Sequence, residues 1–269
     1  MARPLWEDSL NRLLALVSSR RAIPVASVIV LMLSSSPASG AGYFLSDLRF
    51  PDPDARSTLA YGINASGDVV GEYELLDHST NAYIIYGFRR DPNGIFFRIS
   101  IDPIPSQRYT QARGINDAGD IVGYAQAANG VIDGFLREPN NNFTVVDITV
   151  GGTQVNGINT AGDLVGQFFD GISANERGFL KVGSVVTAFD LEPGAKAYSK
   201  YTAAYGVNAT GQVTGLFYDQ DVAGSPGSKA HGFLRDATGV FTTLDVPGAL
   251  YTFAFGINGN GETELTSMV

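Results

Sequence analysis

Carboxylates and tyrosines are the side chains here with the chemistry to hold a ligand, and the carboxylates recur in phase. Asp102, Asp147, Asp190 and Asp245 return once per repeat, as do Asp68, Asp120 and Asp163. A ring of carboxylates can hold cations or flank a glycosidic bond. The second set breaks at Gln212, which a required ligand position would not tolerate. Asp beside a turn ordinarily receives backbone N–H groups, so the recurring acids are read as structural. His78 and His231 are the two histidines, and the chain has no Cys. That leaves too few ligands for zinc and no setting for a Ser-His-Asp triad, since neither His lies near a G-x-S-x-G turn. The phrase N-x-x-G-D lacks the alternating oxygens and distal Glu of a calcium loop. Tyr218-Asp219-Gln220-Asp221 is the better candidate for a weak surface calcium site, against a solvated loop. No catalytic, cofactor-binding or metal residue is assigned, and the chain is expected to be a non-enzymatic protein of binding, adhesion or envelope scaffolding, with a glycan-active propeller enzyme or a calcium-dependent adhesive module as the alternatives.

Local function should sit where repeated units differ. The link from second to third strand varies most, over 73–87, 125–134, 168–178 and 217–232. The first and last of these are long and rich in tyrosine and acid. Tyr73, Asp77, Tyr218, Asp219 and Asp221 are therefore the candidate ligand-binding residues, suited to a glycan or to the edge of an envelope protein.

The elements that must position them are set by a repeat. Gly62, Gly114, Gly157, Gly206 and Gly256 head the phrase G-[IV]-N, spaced by 52, 43, 49 and 50 residues. Periods of about 40–50 residues suit four-stranded blades. Each unit opens on T-x-A-x-G, with Thr58, Thr110, Thr153, Thr202 and Thr252 four residues before the Gly. Simple alternation places Thr, the small residue and Gly on one face, which suits the crowded innermost strand of a ring. N-x-x-G follows and reads as a hairpin turn with Gly in the left-handed position. The second strand, [IVL]-[VT]-G-x-[YFA], keeps one constant face, and its mid-strand Gly leaves a hollow for an aromatic from an adjacent strand or an adjacent unit. The third strand is G-F-x-[RK], and the fourth ends in an acid. Residues 43–50 read as a lone fourth strand before the first unit, and the fifth unit decays after its second strand. The expected fold is all-β: a propeller-like ring of about five four-stranded antiparallel units, the last incomplete. An open stack of β-hairpin repeats is the alternative.

At the N-terminus, Arg20 and Arg21 precede a twelve-residue apolar run, Ala22 to Leu33, followed by small residues to Ala41. That order describes a secretory signal peptide, and the run is short of the ~20 residues that span a bilayer. Residues 1–41 are expected to be removed, by the general or the twin-arginine route. Residues 42–269 would form the repeat domain, with units at about 58–102, 110–147, 153–190, 202–245 and 252–269. Location would be extracellular or periplasmic, without membrane insertion of the mature domain. A formal net charge of −9 argues against nucleic acid, whose binders need a basic surface.

The pattern resembles the bacterial probable extracellular repeat (HAF) family, whose unit runs G-F-L, D-x-P-G-A, then T-x-A-x-G-I-N-x-x-G-x-I-V-G. Residues 232–258, "GFLRDATGVFTTLDVPGALYTFAFGIN", carry nearly every position, and the likeness extends over about 43–261. It departs at "DITVGGTQVNGIN" (147–159), which lacks Pro-Gly-Ala. The resemblance implies export and a propeller-like β fold, and it transfers no catalytic residue.

Overall fold

The computed structural model describes residues 28–33, 43–99, 101, 109–126, 130–149, 151–170, 176–191, 201–218 and 229–268, with side chains from Leu48 onward. Every regular element among them is a strand. The first unit comprises β3 (Ala55–Ile63), β4 (Val69–Asp77), β5 (Ala82–Arg90) and β6 (Phe96–Ile99), preceded by β1 (Val28–Leu33) and β2 (Tyr43–Leu48). The second holds β7 (Tyr109–Ile115), β8 (Ile121–Gln126), β9 (Ile132–Arg137) and β10 (Phe143–Val146). The third holds β11 (Thr153–Ile158), β12 (Leu164–Phe169), β13 (Glu176–Val182) and β14 (Val185–Phe189). The fourth is β15 (Thr202–Val207), β16 (Val213–Tyr218), β17 (Ala230–Arg235) and β18 (Phe241–Leu244). The fifth contributes β19 (Tyr251–Ile257) and β20 (Thr263–Met268) among the described residues.

Each unit is an antiparallel meander. Successive first strands β3, β7, β11, β15 and β19 lie against one another, so they form the inner layer. Single parallel pairings knit third strands to the next first strand: Ile85 with Tyr109, Glu176 with Tyr201, and Ala230 with Tyr251. The fold is therefore all-β, a propeller-like array of four-stranded units with the last one incomplete. Val28–Leu33, inside the apolar run of the expected signal peptide, pairs with Tyr43–Leu48 in a two-stranded sheet of its own.

The hollow at the second-strand Gly is filled from within the unit. Gly71, Gly123, Gly166 and Gly215 each face the Phe of the adjoining strand, Phe88, Phe135, Phe179 and Phe233. All four Phe are fully buried. The hairpin turns match the expectation from N-x-x-G. Gly67, Gly119, Gly162, Gly211 and Gly261 have φ between 80° and 87°, and each donates its N–H to the Asn carbonyl three residues back.

The inner strands depart from simple alternation. Each carries a β-bulge between the small residue and the Gly, at Ala60/Gly62, Ala112/Gly114, Val155/Gly157, Ala204/Gly206 and Ala254/Gly256. The extra residue reverses the side on which the Gly lies. Thr110 and Ala112 pack back on Gly87 of the preceding unit, whereas Gly114 meets Asn156 and Gly157 of the following one. Thr and Gly thus serve opposite faces, not one. The Thr also has a specific bond. Thr58, Thr153, Thr202 and Thr252 accept the backbone N–H of Phe50, Ile148, Leu191 and Val246, 2.9–3.2 Å away, clipping the incoming crossover to the inner strand. The segment after β2 is thereby held as the fourth-strand exit of the other units is held.

Candidate functional site

The bulges have a second consequence. The residue they extrude, Tyr61, Arg113, Asn156, Tyr205 or Phe255, varies among the units, only the first and fourth sharing a Tyr, while its flanks are nearly constant. The same is true of the position after the second-strand Gly, which is Glu72, Tyr124, Gln167 or Leu216. The variable positions converge on the inner layer.

The Tyr61 hydroxyl donates to Glu72 Oε1 at 2.9 Å. The Arg113 guanidinium, from the next unit, lies over the Tyr61 ring at 4.0 Å. Such stacking is favourable because the ring face carries partial negative charge. Glu72 is 8% exposed, yet its Oε2 has no partner. Burial raises the Glu72 carboxyl above the ordinary range, opposed by Tyr61, Arg113 and Gln111. Gln111 Oε1 is also buried and unpartnered. Tyr124 stacks edge-on to Tyr109 with centroids 6.1 Å apart, and burial pushes its phenol up to about 12. Burial, reinforced by Glu72, raises Tyr61 as well. These phenols stay protonated at neutral pH and can donate.

The cluster continues across the inner layer. Gln167 Nε2 donates to Glu176 Oε2 at 2.6 Å and to Tyr201 Oη at 3.3 Å. Tyr205 packs edge-on to Phe255 at 5.1 Å, and Tyr201 to Tyr218 at 5.4 Å. Tyr61 and Phe255 are more than a third exposed, so the cluster opens to solvent. Hydroxyl, guanidinium, amide and carboxylate groups set among aromatic faces can orient a small polar ligand.

Of the residues expected from the sequence, Tyr73 and Asp77 fall elsewhere and Tyr218 borders the cluster. Tyr73 is 1% exposed and stacks on Phe50 with centroids 3.6 Å apart; it is a packing residue, because its strand position shares the core-facing parity of Val69 and Gly71. Asp77 caps the β4–β5 turn, accepting from the Ser79 N–H and hydroxyl and the Thr80 hydroxyl, and these bonds lower its pKa. Tyr218 lies at the rim of the inner cluster through Tyr201. Asp219 and Asp221 lie outside the described residues. Of the recurring acids, Asp68, Asp120 and Asp163 accept from the Nδ2 of their turn Asn. Gln212 Oε1 does the same at 2.8 Å, so an acceptor oxygen suffices there, with or without charge. Asp190 pairs with Arg177 and Asp245 with His231; Asp102 lies outside the described residues. Among the described residues no group of three or more His, Asp or Glu is placed to hold a metal, and no helix is long and apolar enough to cross a membrane.

Sequence reading misses the inner cluster because it seeks variation in loops. The signal is present as the "x" positions of T-x-A-x-G and G-x-[YFA], the places on otherwise constant strands where units disagree.

Fold and cluster together define an all-β repeat array with one asymmetric polar–aromatic patch on its inner strands. No family model matches the chain, and no curated protein does. Solved structures similar to it include a catalytically inactive virginiamycin B lyase from Staphylococcus aureus with quinupristin, at 13% identity and TM-score 0.43, covering 83% of this chain and 73% of that one. A fucose-specific lectin from Aleuria aurantia is similar at 12% identity and TM-score 0.44, over 78% of this chain and 69% of its own. A variant of the same lectin in complex with Fucα1-6GlcNAc gives 13% identity and TM-score 0.42, over 78% and 70%.

Proposed function

We propose that the chain is an exported, non-enzymatic binding module of the HAF repeat kind, and that it takes a neutral, hydroxyl-rich ligand, a glycan, at the inner cluster around Glu72. One observation carries the reading. Glu72 is buried with Oε1 held by Tyr61, while Oε2 makes no well-formed hydrogen bond and is only weakly favoured by the Gln111 side chain. An unpaired buried carboxylate oxygen costs stability. The fourth unit has Leu216 at the same place, so the array tolerates an apolar residue there. A side chain that costs stability where an apolar one fits is best explained by a ligand.

The ligand class follows from the donors and acceptors. Glu72 Oε2 and Gln111 Oε1 lack donors, which hydroxyl groups supply. Tyr61 and Tyr124 supply ring faces for the apolar side of a sugar. Arg113, beside the carboxylate, disfavours an ammonium ligand by like-charge repulsion. Export is supported by the Arg20-Arg21 pair and the short apolar run that follows it. Membership of the repeat family is supported by the phrase shared over residues 43–261.

The test is a glycan array probed with the full chain and with Glu72→Leu. The expected result is selective glycan binding by the wild type, lost in a variant that melts no earlier. Equal binding by both would overturn the reading.

A further inference from the structure

We infer that the glycan reaches a second subsite at Gln167 and Glu176, and is therefore an oligosaccharide and not a single sugar. The inference rests on the binding reading above and deepens it.

Gln167 holds in the third unit the register position of Glu72: it pairs with Gly178 as Glu72 pairs with Gly87. It is 4% exposed, and its Oε1 has no partner although its Nε2 is committed to Glu176 and Tyr201. The first subsite's features thus recur: a buried acceptor oxygen without a donor, a carboxylate, and a tyrosine hydroxyl, here from Tyr201 just before inner strand β15.

Glu176 is the stronger clue. Its register position, two residues before the third-strand Gly, is held by Ile85, Ile132 and Ala230 in the other complete units. An acid has replaced an apolar residue at a partly buried site, and burial raises its pKa, opposed by Gln167. Among the described residues, the one side-chain bond that Glu176 makes is to Gln167, itself an exception among the units, so the pair serves its own polar site and not a contact that the repeat needs.

Tyr205 stands beside both subsites. It lies on inner strand β15, four residues after Tyr201, its carbonyl packs against Gly157 of the third unit's inner strand, and its phenol senses the charge of Arg113 from the first subsite. A chain of sugar rings presents hydroxyl donors at regular intervals with apolar faces between them. That matches two donor-poor acceptor sites separated by an aromatic.

The test is a binding titration of the full chain against mono- to hexasaccharide ladders of β-glucan, α-mannan, chitin and fucan. With the ladder that binds, affinity should rise about tenfold or more from the monosaccharide to the longer members, the gain expected of a second set of polar contacts. Glu176→Ile and Gln167→Leu each install a residue that other units use, so both should fold, checked by thermal melting. Both should abolish the rise while leaving monosaccharide binding intact, whereas Glu72→Leu should abolish binding at every length. Affinity independent of length, or a rise that survives both variants, would overturn the second subsite while leaving the Glu72 site standing. Failure of the wild type to bind any ladder would overturn both.

Discussion

The side-chain amide of Asn116 donates to the backbone carbonyl of Asn159, 3.3 Å away across the boundary between the second and third units. The same bond joins Asn64 to Asn116, Asn159 to Asn208, and Asn208 to Asn258. Within its own turn each Asn also accepts, through Oδ1, the N–H four residues on. One residue therefore shapes the hairpin and sets the height of the next unit. A polar ladder of this kind fixes register where small apolar faces would otherwise slide.

The substitution Asn159→Asp should expose the ladder's role. The new carboxylate would keep the acceptor that holds the turn. It would also present oxygen to Asp163 Oδ2 and to the Asn208 carbonyl, now 2.8 and 3.0 Å from the Asn159 Nδ2. We expect a loss of about 2–3 kcal/mol at pH 7 by urea unfolding, the cost of an unpaired buried acceptor. The repelled carboxylates would have raised folded-state pKa values. The loss should therefore shrink as pH falls through them and protonation restores a donor. A pH-independent loss would show that the turn, not the inter-unit bond, had been damaged.

Two alanine substitutions separate crowded from open glycines. A Cβ at Gly123 would lie 2.9 Å from Phe135 and closer still to the Gln111 carbonyl. Gly123→Ala should cost on the order of 3 kcal/mol or prevent folding, because neither backbone nor buried ring can yield. A Cβ at Gly256 meets only Glu264 of its own unit, at 3.2 Å or more. Gly256→Ala should be close to neutral in the same denaturation assay. Equal effects would contradict the packing described.

Thr214 marks a position where the repeat can be improved. It is fully buried, its hydroxyl has no partner, and it stands where other units have Val70, Val122 and Val165. Thr214→Val should raise stability by about 1 kcal/mol, by relieving a buried unsatisfied hydroxyl at almost constant volume. A decrease in melting temperature would mean that the hydroxyl itself supports the packing around Gly206.

Local features are legible in the sequence, and those joining distant residues are not. The Asn-x-x-Gly turns and the Phe88-type rings over second-strand glycines follow from chemistry within a few residues or one strand pairing. The Asn ladder links residues 43 to 52 positions apart; nothing near Asn116 marks it as anything but a turn former. The bulge at Arg113 looks like one more variable letter, and overlooking it puts Thr110 and Gly114 on one face. Tyr73 reads as a ligand contact because it begins a variable loop, yet its parity places it in the core. Glu72, one residue earlier, has the opposite parity and belongs to the inner cluster. Telling them apart requires knowing which strand faces inward.

The unfolding free energy of Glu72→Leu, measured at pH 7 and pH 4, tests most directly whether Glu72 serves a ligand and not the fold. Burial raises the folded-state pKa of Glu72, so its ionised form penalises folding above that pKa and the penalty disappears as pH falls toward the unfolded value of about 4.3. The variant should be more stable than the wild type at pH 7, with the gain diminishing at pH 4. A variant less stable than the wild type at pH 7 would contradict this, making Glu72 a structural residue held by Tyr61 and Arg113.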